Sequence, residues 1–125
     1  MDLNKLTETI IGAAMEVHRH LDPGLLESAY TACLRHELTL QGIEFRKEVS
    51  LPVLYKGMQL DCGYRLDLIV AESVVVEAKS VQKLDPIHEA QLITYLRLGG
   101  WKVGLLLNFN SPLLKDGIKR RVLGL

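Results

Sequence analysis

Asp67-Leu68-Ile69-Val70-Ala71-Glu72-Ser73-Val74-Val75-Val76-Glu77-Ala78-Lys79 decides how this chain is read. One acid opens an apolar segment, a short break follows, and a second apolar segment ends in Glu77 and Lys79. Side chains alternate across a strand, so Glu77 and Lys79 share one face while Val74, Val76 and Ala78 occupy the other. A turn at Ala71-Glu72-Ser73 would fold the segments into a hairpin and set Asp67 beside Glu77. Two carboxylates with an adjacent ammonium, all on rigid strands, would make a divalent-metal site of the kind that hydrolyses phosphodiesters.

Magnesium takes oxygen ligands and keeps several waters, so one or two protein carboxylates suffice. Asp67 and Glu77 would be those ligands for Mg²⁺ or Mn²⁺, with the backbone carbonyl of Ala78 as a third. Lys79 would then orient the attacking water or stabilise developing negative charge. The competing reading makes Glu77 and Lys79 a solvated ion pair, since a Glu-x-Lys triplet alone has little specificity. The three preceding valines narrow the choice, because charged residues leaving such a strand face either solvent or a site.

Working outward, Leu3, Leu6, Ile10, Ala14, Val17 and Leu21 recur at helical spacing and predict a first helix that breaks at Asp22-Pro23-Gly24. A second helix is expected from about Leu25 to Gln41, with Tyr30, Leu34 and Leu38 on one stripe and Gly42 as its stop. Val49, Leu51, Val53 and Tyr55 alternate, Lys56-Gly57 turns, and Met58, Leu60, Cys62 and Tyr64 alternate again. Pro52 points to a sheet edge. After the hairpin, Asp85-Pro86 reads as an N-cap and first helical position, and that third helix ends at Gly99-Gly100. Trp101 to Leu107 reads as a strand buried on both faces, Asn108 to Pro112 as a loop, and Ile118 to Leu123 as a last short strand. The order predicts one α/β domain over residues 1–125, a mixed central sheet flanked by helices.

The 125 residues include 15 basic and 15 acidic side chains, so no global positive field draws the chain to nucleic acid. Basic residues cluster only locally, at Arg46-Lys47 and at Lys115 with Lys119-Arg120-Arg121. Hydrophobic residues make up 48% and charged residues 24%, values of an ordered globular chain. Cys33 and Cys62 are read as buried free thiols in a reducing compartment, which places the protein in the cytoplasm. No apolar run is long enough for a membrane helix, and the N-terminus lacks the layout of a signal peptide.

Two helices add candidates. His88, Gln91 and Tyr95 are three and four apart and share a face of the third helix, where Gln91 is expected to pack on the sheet. Its plainer reading is a structural hydrogen bond, and His88 is read as a first-turn residue with no ligand role. Glu27 falls on the Tyr30, Leu34 and Leu38 stripe and is expected to point inward from the start of the second helix. A carboxylate there also complements the helix dipole. His18 and His20 diverge and make poor co-ligands. The chain contains no Gly-x-Gly-x-x-Gly, P-loop, His-Glu-x-x-His or paired-Cys motif.

Together these residues resemble the PD-(D/E)XK nuclease superfamily, with its restriction-endonuclease-like core. Asp67 matches the family aspartate, and Glu77-Ala78-Lys79 matches the (D/E)XK triplet. Gln91-Leu92-Ile93-Thr94-Tyr95 looks like the QhxxY motif of the RecB-like and Cas4-like branches. Leu66 stands where the "PD" proline would be. Gly24-Leu25-Leu26-Glu27-Ser28-Ala29-Tyr30 resembles the motif that names the GxxExxY protein family. The resemblance implies that Glu27 is the helix-borne acid at the metal. It also implies that Asp67, Glu77, Lys79, Glu27 and Gln91 converge on one pocket at an end of the sheet. The function expected is a metal-dependent nuclease acting on DNA; the alternative is a nuclease-fold binding or assembly protein with little turnover. Left-over apolar residues on the third helix and at Val122-Leu123-Gly124-Leu125 point to a homodimer.

Overall fold

The computed structural model describes residues 2–124. Helix α1 (Leu3–Leu21) starts at Asp2, whose side chain accepts the Lys5 N–H at 2.7 Å. Its stripe of Leu6, Ile10, Ala13, Ala14 and Val17 is buried. Helix α2 (Glu27–Leu40) follows the Asp22-Pro23-Gly24 break, and Tyr30, Leu34 and Leu38 supply its buried stripe. Strands β1 (Phe45–Ser50), β2 (Val53–Tyr55), β3 (Met58–Leu60), β4 (Arg65–Val70) and β5 (Val74–Lys79) come next. Helix α3 (Pro86–Gly99) crosses to β6 (Val103–Asn108), and a single 3₁₀ turn (Leu114–Gly117) leads into β7 (Ile118–Val122).

Five strands form one sheet in the order β1-β4-β5-β6-β7. Only β5 and β6 run parallel, in register from Val74↔Val103 to Lys79↔Asn108, so the sheet is mixed. A parallel pair needs a crossover, and α3 provides it. Helices α1 and α2 pack on one face against Leu68, Val70, Val74, Val76, Leu105 and Leu107. Helix α3 packs Leu92 and Leu96 on the other face, against Ile69, Val75 and Leu106. Gly104 permits that approach, since a Cβ there would meet the Leu92 side chain at 2.8 Å. The result is the α/β architecture expected from the sequence, with β6 buried along its whole length.

Some boundaries differ from the sequence reading. The alternation from Val49 to Tyr55 spans two strands: Pro52 lacks an N–H, and after Leu51 donates to the Tyr64 carbonyl at 2.9 Å the chain leaves the main sheet. Residues 53–60 form a separate two-stranded hairpin. The strand expected from Met58 to Tyr64 stops at Leu60, because the Asp61 carboxylate captures the Gly63 N–H at 3.0 Å and turns the chain. Cys62 lies in that turn and is exposed, not buried; Cys33 is half-buried.

Candidate active site

Strands β4 and β5 join through a tight turn in which Ala71 and Glu72 both take positive φ, 50° and 53°. Ala71, Glu72 and Ser73 form a three-residue loop, closed by the Ser73 N–H donating to the Val70 carbonyl at 3.0 Å. The ladder runs outward from Val70↔Val74 through Ile69↔Val75 to Leu68↔Val76, and there it stops. Beyond it, side chains replace backbone partners. The Asp67 N–H donates to Glu77 Oε1 at 3.1 Å, and the Ala78 N–H donates to Asp67 Oδ2 at 2.8 Å. The two acids are thus interlocked at the open end of the hairpin. Alternation along β4 breaks at the same point: Leu68 and Val70 face α1 and α2, whereas Leu66 and Ile69 join the α3 side. Glu48 lies across from Asp67, between the pairs Lys47↔Leu68 and Val49↔Leu66, with φ of +50°. Such a local distortion re-aims side chains out of the regular pleat.

Glu77 is only 6% exposed, and burial followed by the neighbouring Asp67 charge pushes its carboxyl up to about 8. Burial also raises Asp67, opposed by the Ala78 N–H and by the Lys79 and Arg35 charges. Two adjacent carboxylates, one buried and one half-buried, cannot both ionise cheaply, and Glu77 bears most of that cost. Lys79 opposes the rise in both acids, yet among the described residues it forms no ion pair. The solvated Glu77–Lys79 pair is therefore not what the chain builds.

Glu27 is exposed, which corrects the inward orientation read from its stripe. It is the first residue of α2, and there the stripe has run past the edge of the core. Its charge still reaches Glu77 and adds to the rise in that carboxyl. Tyr30 fixes the approach to this helix. Its hydroxyl donates to the Asp22 carbonyl at 2.6 Å and accepts the Leu25 N–H at 3.1 Å, while its ring stacks on Phe109 at 4.7 Å. Gly24 supplies the φ of +111° the loop requires. The Ser80 hydroxyl donates to the Leu25 carbonyl at 2.6 Å, tying the start of α2 to the residue after Lys79. Gly24, Glu27 and Tyr30 thus act as turn, acid and clamp.

Asn108 is a positioning residue that sequence reading missed. It is 2% exposed; its Oδ1 accepts the Val81 N–H at 3.1 Å and its Nδ2 donates to the Val81 carbonyl at 3.0 Å. With Phe109 N–H donating to the Lys79 carbonyl at 2.9 Å, it holds the strand end that carries Lys79. A lone amide closing an apolar strand was the available signal. Arg35 and Glu48, whose charges act on Asp67, carried none.

Gln91 is exposed, contrary to the sheet-packing position expected for it. The buried stripe of α3 is Leu92 and Leu96, which turns Gln91 outward into a groove with Tyr64, Thr94 and Tyr95. His88 closes the start of the helix by accepting the Asp85 N–H at 3.0 Å, as a first-turn residue should. His18 meets the Ser111 carbonyl and His20 meets Glu16, both away from the acids. Of the basic clusters, Arg46 is paired with Glu72 and Arg121 with Glu89.

The donor set suits a hard divalent cation: it is oxygen only, Glu77 is buried, and both carboxyls are raised. Among the described residues no three His, Cys, Asp or Glu side chains come together at metal-binding distance, so Glu27 stands apart from the Asp67–Glu77 pair. No helix among the described residues is long and apolar enough to cross a membrane. Neither curated proteins nor solved structures gave a match to the chain. The profile of the PD-(D/E)XK nuclease superfamily, whose enzymes typically use divalent metals, matches residues 4–121. With that match over nearly its whole length, and a mixed sheet flanked by helices beneath it, the chain belongs to the PD-(D/E)XK nuclease superfamily.

Proposed function

We propose that the protein is a metal-dependent nuclease that hydrolyses phosphodiester bonds, with DNA as the polymer, and that it belongs to the GxxExxY branch of its superfamily. The observation that carries this reading is the interlocked Asp67–Glu77 pair, with Glu77 buried and Asp67 half-buried, whose carboxyls are both raised and have no cationic side chain in contact. Asp67 and Glu77 would hold Mg²⁺ or Mn²⁺ together with the Ala78 carbonyl, and Glu27, whose charge already reaches Glu77, would have to turn inward from the helix start to complete the protein's share. A divalent cation bound there supplies charge neutralisation at the phosphate and a more acidic water. Lys79 supplies a fixed positive charge for the pentavalent phosphate, and the Asn108 and Phe109 bonds keep its strand end from drifting. Glu27 brings a carboxylate to the rim from the helix side, held in place by the Ser80 and Tyr30 contacts. Gln91 acts from the adjoining groove on the substrate rather than on the metal. A twofold dimer would gather basic residues that one copy spreads thinly, and the exposed free thiol of Cys62 fits the reducing cytoplasm.

Calorimetric titration with Mn²⁺ beside a cleavage assay on linear, nicked and single-stranded DNA tests the proposal. Lys79→Ala should leave metal binding nearly intact and slow cleavage by about 10²-fold. Asp67→Asn, which keeps an acceptor for the Ala78 N–H, should abolish both. Wild-type protein that binds metal and cuts nothing would make the chain a binding or assembly module. Metal that fails to bind wild type would remove the site.

A further inference from the structure

We propose that the groove beside the acid pair seats an unpaired nucleobase, and so selects single-stranded nucleic acid as the substrate class. This rests on the nuclease reading, which it deepens. The groove has a volume of about 350 Å³ and lies between α3 and the Val53 and Tyr64 segments. Tyr64, Ile87 and Leu98 stand 45%, 59% and 38% exposed around it, a concentration of bare apolar surface in one hollow. The Tyr64 and Tyr95 rings lie 6.1 Å apart and are tilted by 49°, so they do not cover each other's faces. None of the lining residues is charged. A groove without cations does not grip a phosphate backbone, which binds through Lys and Arg.

An aromatic face beside aliphatic walls fits the π-face of a base. In a duplex those faces are covered by stacking, and an unstacked base presents them. Polar groups for a base edge are present as well. Helix α3 uses His88 for its cap and Glu89 for the pair with Arg121, leaving the Gln91 amide and Thr94 hydroxyl without partners among the described residues. The groove does not include the acids but lies near them, close enough for the Glu77 and Asp67 charges to act on Tyr95 in its wall. Tyr64 precedes Asp67 by three residues, and the Tyr95 hydroxyl is raised first by burial and then by the Glu77 charge. A base held there would deliver its own phosphate towards Asp67 and Glu77.

Fluorescence anisotropy in EDTA would test this with a labelled thymidine strand of about a dozen nucleotides, the same strand made abasic, and its duplex. Tyr64→Ala should weaken binding of the thymidine strand about tenfold, the order expected for losing one stacked base, and leave abasic binding unchanged. Tyr64→Phe should bind as wild type does, since stacking needs the ring and not the hydroxyl. Equal affinity for the thymidine and abasic strands, or a Tyr64→Ala protein that binds like wild type, overturns the proposal. So does a dimer that Tyr64→Ala dissociates while strand binding is unchanged, which would assign the groove to a second copy. Cleavage in Mg²⁺ is scored separately. Base-dependent binding without cleavage would sink the nuclease reading and keep the groove, whereas cleavage indifferent to Tyr64 would do the reverse.

Discussion

The β4–β5 hairpin carries acids at both of its ends, and the two ends treat them in opposite ways. At the turn, Glu72 projects into solvent and meets Arg46 through contacts of 2.6 and 3.0 Å, with the two side chains 64% and 50% exposed. Water already solvates both charges, so their pairing adds little. At the open end, Glu77 is buried, its nearest charged neighbour is another acid, and only backbone N–H groups answer the pair. Residue type is nearly constant along the hairpin and environment is not. The turn end spends its acid on the surface, whereas the open end stores unfavourable charge that a cation or a proton can relieve. A concavity of about 380 Å³ also lies at the turn end, lined by Arg46 and Glu72.

The largest effect expected from this contrast is at Glu77. Its carboxyl is raised from 4.5 to about 8, so between those values the folded state binds more protons than the unfolded one. Stability of the metal-free protein should therefore fall as pH rises through that window and level off above it. Glu77→Gln keeps an acceptor for the Asp67 N–H and removes the charge. At pH 8 it should raise the unfolding free energy by about 2–4 kcal/mol and flatten the pH dependence, read by urea melts at pH 5 and 8. Equal slopes in the two proteins would mean that the open end stores no charge.

Next comes Asn108→Ala, which strips the partners from the Val81 N–H and carbonyl at a part-buried position. A loss of about 1–3 kcal/mol is expected, together with slower cleavage through a loosened Lys79. If stability falls and the turnover of the folded fraction does not, Asn108 serves the fold alone. The smallest effect belongs to the turn end: Arg46→Ala should change stability by under about 1 kcal/mol and leave metal titration untouched. A larger loss would erase the distinction between the two ends.

The placement of Asp67 beside Glu77 was legible because counting outward from a short turn fixes antiparallel partners. Helix α1 was legible from its regular stripe and from the break at Asp22-Pro23-Gly24. Gln91 misled because spacing shows which residues share a face without showing which face meets the sheet; Leu92 and Leu96 hold that place. Glu27 misled for a related reason, as the same stripe is buried mid-helix and open at its end. The strand from Val49 to Tyr55 failed at Pro52, where pattern continued and hydrogen bonding could not. Arg35 and Glu48 were silent because each acts through distant chain, which only the folded sheet brings near, whereas Asn108 was marked only as a lone amide closing an apolar strand.

The two N–H groups that point at carboxylates have a spectroscopic consequence. In a strand the Asp67 and Ala78 amides would ordinarily face carbonyl oxygens, whose charge never changes. Here they face acids whose ionisation is the property of interest. Their proton resonances are therefore a built-in gauge, moving downfield as the carboxylates ionise and responding again when a cation draws off that charge. Two backbone signals, from residues that need no label or substitution, would give the protonation and occupancy of the centre in the intact protein.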